Sequence, residues 1–135
     1  MIYLLDTNVI SDLLVKHNII TQQVEEHKVR NDQLIVCQPV YYELMRGLIR
    51  TQSTKKLTIL RDNLLPSFDW QTVVEQDWLQ AAHYWSNAIS ARKQLSDMDF
   101  LIAALSTRLN ATLVSADTDF DTLPIKRENW RVTSS

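Results

Sequence analysis

The chain opens on Met1-Ile2-Tyr3-Leu4-Leu5-Asp6-Thr7-Asn8, five apolar residues running straight into an acid, a hydroxyl and an amide. A run this short, both β-branched and aromatic, predicts a fully buried strand. Its abrupt polar end predicts a helix start, with Thr7 or Asn8 as the N-cap. Asp6 then stands at the carboxyl end of a central strand, the edge where open α/β sheets bind ligands. The plainer alternative is that Asp6 only caps the helix that follows. Two later apolar runs, Leu34-Ile35-Val36-Cys37 and Thr112-Leu113-Val114-Ser115, predict further buried strands. Helical patterns fill the intervals, so the expected fold class is α/β, a central parallel sheet of four to five short strands flanked by helices.

The helical stretches follow from periodicity. Val9, Ile10, Leu13 and Leu14 predict an amphipathic helix over about 8–16, and a polar helix over about 19–30 turns Ile19, Ile20, Val24 and Val29 inward. Pro39 opens the next helix near the first position, where its missing N–H is no loss. Gly47 is the only glycine of the chain. In mid-helix it costs about 1 kcal/mol against Ala, and it shares a face with Glu43, so that face is expected to press on another element. Leu57, Leu60, Leu64 and Leu65 mark a helix over about 53–65, with Lys55, Lys56 and Arg61 outward and Pro66 ending it. Phe68 to Val74 is a weak strand. The longest helix, about 75–93, carries Trp78, Leu79, Ala82, Trp85 and Ile89 on one stripe, a pattern of core or subunit interface. Phe100 to Leu109 is apolar almost all round, as a central helix would be. Glu128 to Val132 adds a candidate last strand.

With 135 residues, 45% of them hydrophobic, one domain with a real core is expected. The net charge of −2 advertises no global basic field, so any nucleic-acid contact must be local. Cys37 is the only cysteine, which excludes an internal disulfide and a Cys-based zinc site. No run approaches the ~18 apolar residues of a membrane span, and the N-terminus lacks the basic and apolar regions of a signal peptide. A cytoplasmic protein is expected.

Four acids fall at strand-to-helix edges: Asp6, Glu43, Asp99 (or Asp97) and Asp117 (or Asp119). Parallel strands end on one side of a sheet, so acids delivered there converge. Crowded carboxylates repel, and some must protonate or bind a cation. Hard oxygen donors without Cys or His favour Mg²⁺ or Mn²⁺ over Zn²⁺. Such ions suit phosphodiester hydrolysis, which then needs no protein nucleophile. Each acid alone has an ordinary explanation as a helix cap, and Ser96 with Asp99 three later resembles a capping box. Asp97 and Asp99 lie about 200° apart around a helix, so only one can face a shared pocket. His17, His27 and His83 show no metal spacing and are expected at the surface. Of Tyr41 and Tyr42, at least one is expected in the core.

Leu5-Asp6-Thr7-Asn8-Val9-Ile10-Ser11 resembles the first motif of PIN-domain ribonucleases. Glu43-Leu44-Met45-Arg46-Gly47 is similar to the second, Asp99-Phe100-Leu101-Ile102-Ala103-Ala104 to the third, and Leu113-Val114-Ser115-Ala116-Asp117-Thr118-Asp119-Phe120 to the fourth. Glu128-Asn129-Trp130 also matches bacterial members. The likeness spans the chain in order, and the length points to the VapC-type toxins of bacterial toxin–antitoxin pairs. The resemblance implies a single PIN-like domain over 1–135. It implies a Mg²⁺- or Mn²⁺-dependent endoribonuclease, usually dimeric and silenced by a cognate antitoxin. Asp6, Glu43 and Asp99 would be the core metal ligands, with Asp117 completing the site, Asp97 and Asp119 as alternates, and Thr7 or Ser115 orienting a carboxylate or water. Two departures stand out: Arg92-Lys93-Gln94-Leu95-Ser96 replaces the Gly-Arg often found before the third motif, and the fourth motif is a residue shorter than many.

The leading reading is thus an endoribonuclease, with Arg46, Arg50, Arg92 and Lys93 as candidate phosphate guides. The alternative is a non-catalytic PIN-like module that binds RNA or protein. A carboxylate phosphatase of the Asp-x-Asp type is disfavoured, because position 8 is Asn8.

Overall fold

Five strands, all parallel, make the sheet of the computed structural model, which describes residues 1–89 and 95–132. In chain order the elements are β1 (Ile2–Leu5), α1 (Thr7–Leu14), α2 (Asn18–Val29), β2 (Gln33–Cys37), α3 (Gln38–Arg50) and α4 (Thr54–Ile59). They continue with β3 (Asp69–Gln71), α5 (Glu75–Ala88), α6 (Asp97–Arg108), β4 (Thr112–Val114) and β5 (Arg127–Glu128). The strand order is β3-β2-β1-β4-β5. β1 is central, with Tyr3 paired to Leu34 of β2 on one side and Thr112 of β4 on the other. Helices cover a parallel sheet on both faces, so Leu4 and Leu5 are fully buried and the run carries no polar alternation. The edge strands β3 and β5, of three and two residues, are more exposed than the inner ones.

α6 is the central helix expected from its all-round apolarity, with every residue from Phe100 to Ser106 buried. It packs on α5 and α3, while α3 also meets α1 and α4. Pro39 sits in the first turn of α3, as its chemistry favours. The helix expected over about 53–65 is shorter than its leucine pattern. It is α-helical only through Ile59, then widens into a π turn at Leu60–Leu64 and tightens into a 3₁₀ turn at Leu65–Ser67. Leu60 is buried at that switch, which aims the chain into β3.

Five expectations need correction. Val29 is exposed, because α2 ends there and its inward positions are Ile20, Val24 and His27. His27 is buried, not superficial: its ring stacks on Trp130 at 4.1 Å, meets Tyr3 edge-on, and bonds Asp32 through Nδ1 at 2.9 Å. Gly47 itself presses on nothing, since a Cβ there would meet no neighbouring atom within 4 Å; on the same face Glu43 meets another element, at Thr7 of α1. The Trp78–Trp85 stripe of α5 is not core; Asp77, Ala81, Tyr84 and Ala88 are the buried positions. Tyr41 is only partly buried, packed against the core and edge-on to Trp70, and Tyr42 is exposed beneath Arg46, so neither tyrosine lies within the core.

Candidate active site

Asp6 occupies the N-cap position of α1, one residue before the predicted Thr7 or Asn8, yet its side chain makes no capping bond. It turns instead toward the end of β4. Its Oδ2 accepts from Ser115 Oγ at 2.6 Å and from Asn8 Nδ2 at 3.1 Å. Asn8 Nδ2 also donates to Ser115 Oγ at 3.0 Å, and Asn8 Oδ1 accepts the Ala116 N–H at 3.2 Å. Ser115 Oγ in turn accepts the Asp117 N–H at 3.1 Å. The corner between β1 and α1 is thereby stitched to the loop leaving β4, and the capping explanation for Asp6 fails.

Glu43 lies in the second turn of α3. Thr7 Oγ1 donates to its Oε1 at 2.8 Å, and Arg46 approaches Oε2 at 3.6 Å. Arg46, a candidate phosphate guide, is therefore already engaged with an acid of the cluster. Asp99 is in the first turn of α6, where the capping box with Ser96 is real: its Oδ2 accepts the Ser96 N–H at 2.9 Å and its N–H bonds Ser96 Oγ at 3.2 Å. That box uses one of its two carboxylate oxygens. Asp97 begins the same helix but is exposed, beside Trp78, Trp85 and Met98, as the angular argument requires. Asp117 precedes the 3₁₀ turn Thr118–Thr122 and accepts the Asp119 N–H at 2.9 Å.

The electrostatics tie these groups together. Burial, with the charges of Asp99 and Glu43 adding to it, pushes the Asp6 carboxyl up to about 6 against the pull of Ser115 and the Thr7 N–H. Burial also raises Glu43, with Asp99 adding to it. Asp99 is raised by burial and by the charges of both Asp117 and Asp119. Asp99 is thus the group that feels or acts on every other acid. Asp117 and Asp119 both bear on it, so the pair remains the fourth position jointly. The candidate guide Arg50 ends α3 in solvent, and Arg92 and Lys93 lie outside the described residues.

Thr7 and Ser115, the candidate orienting residues, are each bonded to an acid of the cluster, Glu43 and Asp6 respectively. Asn8 is the member that sequence reasoning used only as a cap. A polar residue two after the acid was the available signal, but its partners lie 107 and 108 residues away. All donors at this edge are oxygens, and the most buried one is poised against its own charge, which fits a hard divalent cation. Among the described residues no three acidic, histidine or cysteine side chains are already drawn together around one point. An ion that keeps several waters and reaches part of its carboxylate set through them, as Mg²⁺ does, fits acids spread in this way.

A parallel α/β sheet with an acidic cluster at the carboxyl edge of its central strands defines the class of fold and site. Within it, the chain belongs to the PIN domain family, whose profile matches residues 3–126. Solved structures share the architecture. VapBC2 from Rickettsia felis, bound to a DNA fragment from its promoter, is 24% identical over 96% of this chain and 99% of that one, with a TM-score of 0.81. FitAcB from Neisseria gonorrhoeae is 25% identical over 97% and 99%, with a TM-score of 0.80. VapC20 from Mycobacterium tuberculosis, a toxin that cleaves the sarcin–ricin loop, is 13% identical over 91% and 95%, with a TM-score of 0.67, a likeness of fold. The VapC-type resemblance read in the motifs is therefore matched by the fold. No curated protein matches the sequence.

Proposed function

We propose that this chain is a Mg²⁺- or Mn²⁺-dependent endoribonuclease, the toxin of a toxin–antitoxin pair, acting on RNA in the cytoplasm. The observation that carries the reading is Asp6. A buried carboxylate that declines its capping bond, is fixed by Ser115 and Asn8, and is crowded by Asp99 and Glu43 is costly to ionise. A bound divalent cation offsets that cost. Asp6, Glu43 and Asp99 would hold it, with Asp117 or Asp119 completing the set. When bound, the ion neutralises charge on the phosphodiester and activates water. The chain's own residues do the positioning: Thr7 holds Glu43, Ser115 and Asn8 hold Asp6, and the Ser96 box fixes the first turn of α6. No described helix is long and apolar enough to cross a membrane.

For the antitoxin, we infer a docking furrow between α1, α3 and α4, where Leu14, Leu44 and Leu48 flank the uncovered Gly47 and the lining continues to Thr7 and Glu43. Its volume is about 390 Å³. A helix or tail from a partner laid there ends at the acid cluster, where Arg46 already shows that a guanidinium can pair with Glu43.

The test is cleavage of a structured RNA by purified protein with Mg²⁺, with Mn²⁺ and with EDTA. The reading requires cleavage with either ion, loss with EDTA and loss in Asp6→Asn. Tight RNA binding without cleavage in all three conditions assigns the chain to the non-catalytic alternative.

A further inference from the structure

One guanidinium closes the segment that carries the fourth acid. Arg127 stands on the edge strand β5, in register with Leu113 of β4. Its side chain reaches past the end of β4, where Nη1 donates to the Ser115 carbonyl at 2.9 Å. Nε and Nη2 grip the two carboxylate oxygens of Asp121 at 2.8 and 2.9 Å. Ser115 begins the chain leaving β4, and Asp121 lies in the 3₁₀ turn that follows. Asp117 and Asp119 fall between the two. All three guanidinium nitrogens are thus engaged inside the chain, and the Arg127 side chain is only 14% exposed.

We propose that Arg127 is a positioning residue for the acid site. By stapling both ends of the segment 115–121 it fixes the Ser115 hydroxyl, and through that hydroxyl both Asp6 and the main chain at Asp117. The inference rests on the nuclease reading and gives Arg127 no contact with metal or RNA. The Ser115 hydroxyl is fully committed: it donates to Asp6 Oδ2 at 2.6 Å and accepts from Asn8 Nδ2 at 3.0 Å and from the Asp117 N–H at 3.1 Å. A hydroxyl has one donor and two acceptor sites, so none is left to adjust, and its place follows from its backbone. β5 holds that backbone on both sides. The Ser115 N–H donates to the Glu128 carbonyl at 2.9 Å, and the Ser115 carbonyl accepts from Arg127.

Two plainer roles fit the geometry less well. An ordinary surface ion pair would hold Asp121 alone and contribute little, whereas here the same guanidinium also takes a backbone carbonyl at the mouth of the site. A phosphate guide would present free N–H groups to solvent, whereas these are spent. The charge of the fourth acid also reaches Arg127. Its guanidinium is raised above the ordinary value first by the bond to Asp121, with the charges of Asp121 and Asp117 adding to it. Lysine cannot do the same work, because a compact ammonium lacks the planar fork that spans a carboxylate and a carbonyl together.

The experiment compares the wild-type chain with Arg127→Met, Arg127→Lys and Asp121→Asn by Mn²⁺ titration calorimetry, by NMR exchange of the Asp117 amide, and by RNA cleavage. Arg127→Met should weaken Mn²⁺ binding and lower kcat by roughly tenfold or more, the usual effect of removing a group that orients a ligand, with KM unchanged. Its Asp117 amide should exchange faster while the β1 amides keep their protection, because the segment opens locally. Arg127→Lys should recover little of either. Asp121 is more than half exposed, so Asp121→Asn should fold normally and show a smaller loss of the same kind. Wild-type Mn²⁺ affinity and Asp117 exchange in Arg127→Met overturn the proposal; should that variant unfold, the same result in Asp121→Asn overturns it. So does full recovery by Arg127→Lys, which makes charge alone sufficient, or a raised KM with Mn²⁺ affinity intact, which makes Arg127 a phosphate contact. A wild-type chain that neither binds Mn²⁺ nor cleaves RNA ends the nuclease reading instead, and the Asp117 exchange still decides whether Arg127 holds the segment.

Discussion

Replacing Asp6 by Asn should stabilise the metal-free protein while abolishing the proposed activity. The folded-state carboxyl titrates at about 6, against 3.8 for an unperturbed Asp. Its raised value means the ionised form is disfavoured by folding. Below pH 4 the group is protonated in both states and carries no penalty. Between pH 4 and 6 the unfolded chain ionises first, so wild-type stability declines; above 6 the decline is complete. A shift of roughly two units at 1.36 kcal/mol each gives on the order of 3 kcal/mol. The value of about 6 already includes the opposing bond from Ser115. An amide oxygen at the same place still accepts from Ser115 and Asn8.

The expected gain at pH 8 is therefore ~1–3 kcal/mol, allowing for burial of the amide itself. Urea unfolding in EDTA at pH 8 and at pH 3.5 measures it. The midpoint of Asp6→Asn should exceed wild type at pH 8, and the two should converge at pH 3.5. Adding Mg²⁺ at pH 8 should raise the wild-type midpoint by mass action and leave the variant unchanged. A variant less stable than wild type at pH 8, or a gain of equal size at pH 3.5, refutes the argument that charge crowding at Asp6 is the destabilising element.

Other outcomes follow from neighbouring residues. Asp99→Asn should lower the cleavage rate by orders of magnitude, whereas Asp97→Asn, exposed beside Trp78, should change it little; equal losses would show that both reach the acid cluster. Asn8→Ala should weaken Mn²⁺ binding by roughly 10–100-fold, the usual effect of removing a group that orients a ligand, read by titration calorimetry, and Asn8→Ser should recover part of it. Arg108→Met leaves the fully buried Asp77 without the guanidinium that bonds it at 2.8 Å, so it should destabilise by ~3 kcal/mol; denaturant unfolding showing a loss below 0.5 kcal/mol would contradict it.

Much of the sheet was legible because β1, β2 and β4 are buried on both faces, which leaves a continuous apolar signature in each run. β3 and β5 were faint for the opposite reason: edge strands of three and two residues carry little burial to write into sequence. Asp99 follows no described strand, lying in the first turn of α6 after α5, but Asp6 and Asp117, with Thr7 and Ser115 beside them, were legible, since strand ends can be read locally. Their pairing could not be, because Thr7 meets Glu43 across 36 residues and Ser115 meets Asp6 across 109. The misplacement of His27 has the same origin, since nothing near it in sequence announces the Trp130 ring on which it stacks. The α5 stripe was read as core or interface because periodicity reports only that an apolar face exists. What covers it is a property of the surroundings, and the buried face of α5 is instead the smaller one of Ala81, Tyr84 and Ala88, anchored by the capping Asp77.

The positions of these features bear on how the protein tolerates its own site. The acid edge is held by hydrogen bonds between elements far apart in sequence, and it is electrostatically unfavourable without a counter-charge. The stability that offsets this comes from elsewhere: the fully buried β1, the α6 core from Phe100 to Ser106, and the Asp77–Arg108 pair that ties the start of α5 to the end of α6. α6 links the two regions directly. Its first turn carries Asp99 into the cluster while its body fills the core, so displacement of the helix by even a fraction of a turn would separate Asp99 from Glu43. A rigid, deeply packed α6 is therefore the physical condition for holding repelling carboxylates together, and its near-complete apolarity, the least informative feature for chemistry, is what makes the acidic site possible.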